Sequence, residues 1–193
     1  MKTLHLEKNG IRGLSISESF TQKSIKSHLA GIVISNEFQI DGFVFENASI
    51  KGNDITKKII SMYDTLNRDD ISYILLPGTI LSMYNFVNMD KISEHTQIPV
   101  IAVNTNDSSG LTDSIKKHFP ENFKKKLEEY QNLGHREKIL LDTNNEIFVR
   151  LKGCTITECT TLLNKLTLQG AISEPQRVSQ LLAKTMLKRD ISH

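Results

Sequence analysis

The 193-residue sequence predicts an α/β protein: an antiparallel β-meander, then parallel βαβ units, then a helical C-terminal extension from about residue 120. Three observations carry this. Residues 11–50 hold apolar positions in strand-like runs. The period then switches to a helical one over residues 53–66. Beyond it, two short continuous apolar runs, "SYILLPG" (72–78) and "IPVIAVN" (98–104), are separated by a stretch with helical spacing. Continuous apolar runs of that length mark strands covered on both faces.

The elements follow in order. "IRGLSISESF" (11–20) reads as a buried strand through Ile11, Leu14 and Ile16, ending in a polar turn at Ser17-Glu18-Ser19. "HLAGIVIS" (28–35) and "EFQIDGFVFENASI" (37–50) form a hairpin with its tight connection at "NEF". Asp41-Gly42 inside the second of these strands marks a bulge. In "NDITKKIISMYDTL" the apolar stripe is Ile55, Ile59, Met62, Tyr63 and Leu66, with Asn53 or Asp54 as N-cap. The run 80–96, "ILSMYNFVNMDKISEHT", is expected to be helical, and "TNDSSG" (105–110) a polar loop. Strand, helix, strand, helix in this order implies parallel strands joined by right-handed crossovers.

Pro120 is expected to open a helix through Tyr130, in which Lys124, Lys125 and Lys126 form a solvated face beside Glu128 and Glu129. "KILLDTNNEIFVRL" reads as a hairpin turning at Asn144-Asn145. Thr155 and Glu158 have capping-box spacing, and Ser173 and Gln176 repeat it before a last helix whose apolar stripe is Val178, Leu181, Leu182 and Met186. Three antiparallel strands leading into a βαβ pair is the layout of the ribonuclease-H-like fold. A flavodoxin-like sheet is disfavoured, because it requires a helix between its first two strands. One domain spanning 1–193 accommodates all of this.

Composition narrows function. The formal net charge is +2, so any electropositive surface is local rather than global. Nothing in "MKTLHLEKNG" has the apolar core of a signal peptide, and no apolar run reaches membrane-spanning length, which makes a cytoplasmic protein with no membrane partner the expectation. Cys154 and Cys159 in "CTITEC" match no metal or redox spacing and read as reduced packing residues on the first turns of a helix. His5, His28, His95, His118, His135 and His193 are scattered without zinc-site spacing. Ser15, Ser17 and Ser19 lack a nucleophile elbow and a neighbouring histidine. Gly78-Thr79, before a presumed helix, offers backbone N–H groups to an anion.

The run "GLSISESF…KSHLAGIVIS…IDGFVF…DITKKII…YILLPGTILSMYN…IPVIAVN" and the ending "SEPQRVSQLLAK" resemble an archaeal family of unknown function, domain-of-unknown-function family ninety-nine. That family is similar, distantly, to endonuclease V. The resemblance implies a ribonuclease-H-like fold and an ancestral two-metal nuclease site. Such sites hold two divalent cations roughly 3.5–4 Å apart on converging carboxylates, with magnesium or manganese as the metal. The family's acidic positions fall on Ser17, Lys51 and Pro77, and none of these is acidic. Glu18 and Asp54 remain as candidate catalytic carboxylates, with Asp41 a further one. Lys51, Gly78, Thr79 and Arg177 are candidates for contact with nucleic acid or another anion, and Lys23, Lys26, Lys57 and Lys58 fall around the same region. Glu174 and Pro175 complete the matched motif, with an Arg177–Glu174 ion pair as the alternative to an anion anchor. No resident metal or cofactor is expected. The first reading is a non-catalytic or altered relative of metal-dependent nucleases that binds nucleic acid. The alternatives are a metal-dependent hydrolase using Glu18 and Asp54, and an oligomeric interaction subunit.

Overall fold

A computed structural model describes residues 4, 6, 10–107 and 110–191. His5, His193, most of the opening "MKTLHLEKNG" and two serines of the 105–110 loop lie outside the described residues. β1 (Arg12–Ser19), β2 (Lys26–Ser35) and β3 (Ile40–Ser49) form the antiparallel meander. α1 (Ile55–Leu66) crosses to β4 (Ile71–Leu76), which runs parallel to β1. A small hairpin, β5 (Ile80–Leu81) and β6 (Asn85–Phe86), precedes α2 (Met89–Thr96) and β7 (Val100–Asn104), parallel to β4. α3 (Thr112–His118), α4 (Phe123–Gln131), β8 (Glu137–Leu140), β9 (Glu146–Lys152), α5 (Ile156–Leu166) and α6 (Glu174–Ile191) complete the chain. The main sheet has seven strands in the order β3-β2-β1-β4-β7-β9-β8.

Side-chain alternation divides the core into two layers. Leu14 and Ile16 of β1, Ile74 and Leu76 of β4, and Val100 and Ala102 of β7 pack with Ile55, Ile59 and Met62 of α1 and Ile92 of α2. Tyr73, Leu75, Ile101 and Val103 face the other way, onto Cys159, Leu162, Leu163 and Leu166 of α5. On this second face β1 presents only Gly13, Ser15 and Ser17, and α6 answers with the buried Ser179 and Ala183. Two small surfaces let the helix lie close to the strand. Gly13 is required there, since a Cβ would sit 2.1 Å from the Tyr73 ring.

Several local expectations are corrected. Ser17-Glu18-Ser19 is strand, paired with Ala30, Leu29 and His28, and the turn comes after it. The helix expected over 80–96 begins only at Met89, where Asn88 caps it by accepting from the Lys91 N–H. Before that, Ser82, Met83 and Tyr84 are all left-handed, with φ of 45°, 53° and 66°, which closes the β5–β6 hairpin. α4 starts at Phe123, three residues after Pro120, and Lys126 is buried rather than solvated. In the β8–β9 turn only Asn144 has positive φ. Cys154 precedes the α5 cap rather than lying on the helix. The buried face of α6 is Pro175, Gln176, Ser179 and Ala183, while Leu181 is exposed and Val178, Leu182 and Met186 are half-buried.

Other expectations hold. The β2–β3 register shifts opposite Asp41, as the bulge reading requires. The Thr155/Glu158 capping box is complete. The same expectation fails at α6: Ser173 Oγ donates to Gln176 Oε1 rather than accepting from the Gln176 N–H, and Gln176 Nε2 donates to the Leu76 carbonyl, so the spacing forms a side-chain pair and not a capping box.

The Tyr73 hydroxyl is fully buried with no hydrogen-bond partner among the described residues. An orphan polar group of that kind costs about 1–3 kcal/mol. Tyr73→Phe is therefore expected to raise stability by about 1 kcal/mol, or about 2–4 °C in melting temperature for a chain of this size, as read by calorimetry.

Candidate functional site

Glu18 lies on the α1 face of β1, following Leu14 and Ile16 in the alternation. Its carboxylate accepts from Ser27 Oγ of β2 at 2.8 Å. It also accepts from the Ser82 N–H (2.8 and 3.0 Å) and from Ser82 Oγ (2.9 Å). The side chain thus ties the sheet to the left-handed turn. Replacing it with alanine leaves the Ser82 N–H without an acceptor, which costs about 1–3 kcal/mol.

Asp54 is equally engaged. It occupies the N-cap position of α1 but makes no side-chain cap bond. Its oxygens accept instead from the Ser49 N–H, from Ser49 Oγ (2.9 Å) and from Asn85 Nδ2 (2.7 Å). Asn85 Oδ1 in turn accepts the first N–H of the helix, from Ile55. Asp41 pairs with Arg12 on the bulge of β3. The three carboxylates therefore sit in three separate polar clusters.

Lys51 has φ of 56°; its N–H donates to the Ser82 carbonyl and its Nζ reaches His118 Nδ1 at 3.5 Å. Gly78 has φ of +128°, and a Cβ there would meet Asn104 Nδ2 at 2.8 Å, so both conformation and space demand glycine. Thr79 is 2% exposed and its hydroxyl accepts from Arg150 Nη1 at 3.0 Å. The hairpin after it is no long helix, so Gly78-Thr79 has no helix N-terminus directly behind it. Arg177 is engaged with Glu174 through Nε and Nη2, and Pro175 is buried in the first turn of α6, where a missing N–H costs nothing.

Ser17 and Pro77 do come together. They line a cleft of about 230 Å³ with Asn104, Asn106, Gln176 and Gln180 at the C-terminal ends of β1, β4 and β7. Ser17 Oγ is 2.7 Å from Ser179 Oγ, which also meets Ser15 Oγ at 3.3 Å. Lys51 is not part of this cleft. Hydroxyls and amides make its lining neutral.

Sequence reasoning missed four residues that organise the region. Lys126 Nζ donates to Asn53 Oδ1, to the Gly52 and Tyr84 carbonyls, and pairs with Glu129, while lying 5.0 Å from the Phe86 ring centroid. Nothing in "KKK" distinguishes it from its neighbours. Ser82 and Arg150 carry no local signal either, and Gln176 reads as a cap residue.

A family model described as Endonuclease dU matches residues 9–187. The chain belongs to that family. A UPF0215 protein of Archaeoglobus fulgidus is 28% identical over 182 residues, covering 91% of this chain and 93% of its own. The crystal structure of an A. fulgidus protein aligns with a TM-score of 0.74 at 26% identity, covering 91% of this chain and 98% of that one. Ciona intestinalis endonuclease V, solved with a 24mer DNA containing an inosine followed by a ribo-adenosine, aligns with a TM-score of 0.61 at 14% identity, covering 95% and 88%. The fold is accordingly ribonuclease-H-like, that of the endonuclease V structures, with a C-terminal helix across the sheet.

The two candidate carboxylates titrate in opposite senses. Burial raises the Glu18 carboxyl above its usual 4.5, and the bonds from Ser27 and Ser82 pull it back only in part. Burial acts the same way on Asp54, but the bonds from Asn85 and Ser49 outweigh it and hold that carboxyl below 3.8. A carboxyl raised in the folded state binds its proton more tightly there than in the unfolded chain. Its stabilising contribution is full below pH 4.5 and is lost as pH rises through the folded value. For Asp54 the contribution is present above pH 3.8 and is lost as pH falls through its lower folded value. Urea unfolding from acid to neutral pH should show the wild-type advantage over Glu18→Gln shrinking as pH rises, and that over Asp54→Asn shrinking as pH falls. Parallel trends for both variants would contradict this.

Proposed function

We propose that this chain is a nucleic-acid-binding member of the Endonuclease dU family in which metal-dependent strand cleavage has been lost or altered. The observation that carries this reading is the neutral lining of the cleft between Ser17 and Pro77. A two-metal site needs carboxylate oxygens converging from neighbouring strands. Here the converging groups are hydroxyls and amides, which are weak magnesium ligands and supply no negative charge. Among the described residues, no three His, Cys, Asp or Glu side chains converge as a metal-binding group. Glu18 and Asp54 would each have to surrender several hydrogen bonds to serve a cation. Support for nucleic acid as the partner comes from the family and from the shared fold with endonuclease V.

A second reading, an interaction subunit acting through its surface, is favoured by one feature. β3 is one of the two edge strands of the sheet, and Phe43 and Phe45 on it are 54% and 49% exposed. Residues of that kind beside unpaired backbone groups suit pairing with another chain.

Manganese titration by calorimetry, together with oligonucleotide binding and cleavage assays, separates the readings. The expected result is no paired high-affinity cation binding and no cleavage. Oligonucleotide affinity should fall steeply, by an order of magnitude or more, between about 50 and 200 mM salt. Cleavage in manganese that disappears in a folded Glu18→Ala variant would overturn the proposal in favour of a hydrolase. Absence of oligonucleotide binding, with concentration-dependent self-association, would favour the interaction subunit.

A further inference from the structure

The second cleft lies on the other side of the sheet, between α1, the β6–α2 segment, the end of α4 and β9, with a volume of about 560 Å³. It shares no lining residue with the Ser17–Pro77 cleft. Its charge is unbalanced. Lys57, Lys91, Arg150 and Lys152 line it against only two carboxylates, Asp90 and Glu129. Both carboxylates are already spent, Asp90 on Lys152 and Glu129 on the buried Lys126.

Arg150 is the group left over. It is half-buried on β9, where its neighbours in the alternation, Val149 and Leu151, turn to the other face. Nε donates to the Gly134 carbonyl at 3.1 Å and Nη1 to Thr79 Oγ1 at 3.0 Å. Both acceptors are neutral, and among the described residues no carboxylate lies within ion-pair distance of the guanidinium. A guanidinium carries five N–H donors in a planar fork. The two bonds fix the fork's orientation, and among the described residues its remaining donors have no hydrogen-bond partner beside the cleft. Burial first, and then the nearby Arg136, work against the charge, and Tyr130 offsets them only in part. A cation held in this way, without a counter-ion from the protein, is a receptor for one from outside.

We propose that Arg150, oriented by Thr79 and Gly134, is the anchor of a phosphate-binding site in this cleft. A phosphate matches the planar fork bidentately in a way that a halide does not. Lys57 and Lys91 stand at the rim to meet its remaining charge, and Ile60, Phe86, Val87 and Leu133 provide an apolar wall for the organic body of a phosphate ester. The site goes beyond the nucleic-acid reading and does not depend on whether the other cleft cleaves.

The test is calorimetric titration of the full chain with inorganic phosphate and, separately, adenosine 5′-monophosphate, at fixed ionic strength set with chloride. One saturable site is expected. Arg150→Gln should weaken it by about tenfold or more, the loss of one charge-assisted bidentate contact. Lys57→Glu, at an exposed rim position that leaves the fold untouched, should weaken it about threefold or more. Tighter binding of the nucleotide assigns the site to a phosphate ester, and equal binding assigns it to the free ion; each supports the site. Absence of saturable binding in the wild type overturns the proposal. So does unchanged affinity in a folded Arg150→Gln. If that variant does not fold, unchanged affinity in Lys57→Glu overturns it instead.

Discussion

The Glu18 carboxylate is the point on which the upper half of the molecule depends. Three consecutive left-handed residues, Ser82 to Tyr84, cost about 1–2 kcal/mol each and do not arise from local preference. They persist because a half-buried carboxylate at the end of β1 grips both the backbone and the hydroxyl of Ser82. The turn then presents the Ser82 carbonyl to Lys51 and the Tyr84 carbonyl to Lys126. Lys126 closes the circuit by holding the loop before α1 through Gly52 and Asn53. Glu18 here works as a structural clasp between the meander and the turn.

The division of the sheet's two faces gives that clasp its meaning. On one face, the strand ends converge on Ser17, Pro77 and the amides of α6, with no charge among them. On the other, positive side chains gather around Arg150 and Thr79. Pro77 and Thr79 are two residues apart and serve opposite faces, so the short β4 exit is where the two environments are separated. A net charge of +2 for the whole chain conceals this polarity, because the excess is local.

Much of the fold was legible in the sequence, for identifiable reasons. Continuous apolar runs at 72–78 and 98–104 carry the signature of central strands, and both are central strands. The helical stripe of α1 and the Thr155/Glu158 box rest on short-range spacing, which tertiary contacts did not override. The failures share a cause. The stretch 80–88 has helix-compatible residues, but its conformation is dictated by Glu18, more than sixty positions away. Lys126 looks like any surface lysine until carbonyls from two other segments surround it. The α6 stripe was misjudged because β1 offers hydroxyls rather than apolar groups, which draws Ser179 inward in place of Leu181. Ser17 and Pro77 were legible as non-acidic positions and do share a cleft, whereas Lys51 lies outside it, and Arg150, held by the neutral acceptors Gly134 and Thr79, carried no local signal because those partners meet only in three dimensions.

The left-handed hairpin also shows where a local conformation is held from a distance. Its conformation cannot be stored locally, because the acceptor that holds it belongs to a strand formed much earlier in the sequence. Only the paired meander, with Glu18 aimed past Ser27, gives residues 82–84 a reason to leave right-handed space. The hairpin therefore takes its stability from the meander, and whatever loosens the end of β1 releases it as well.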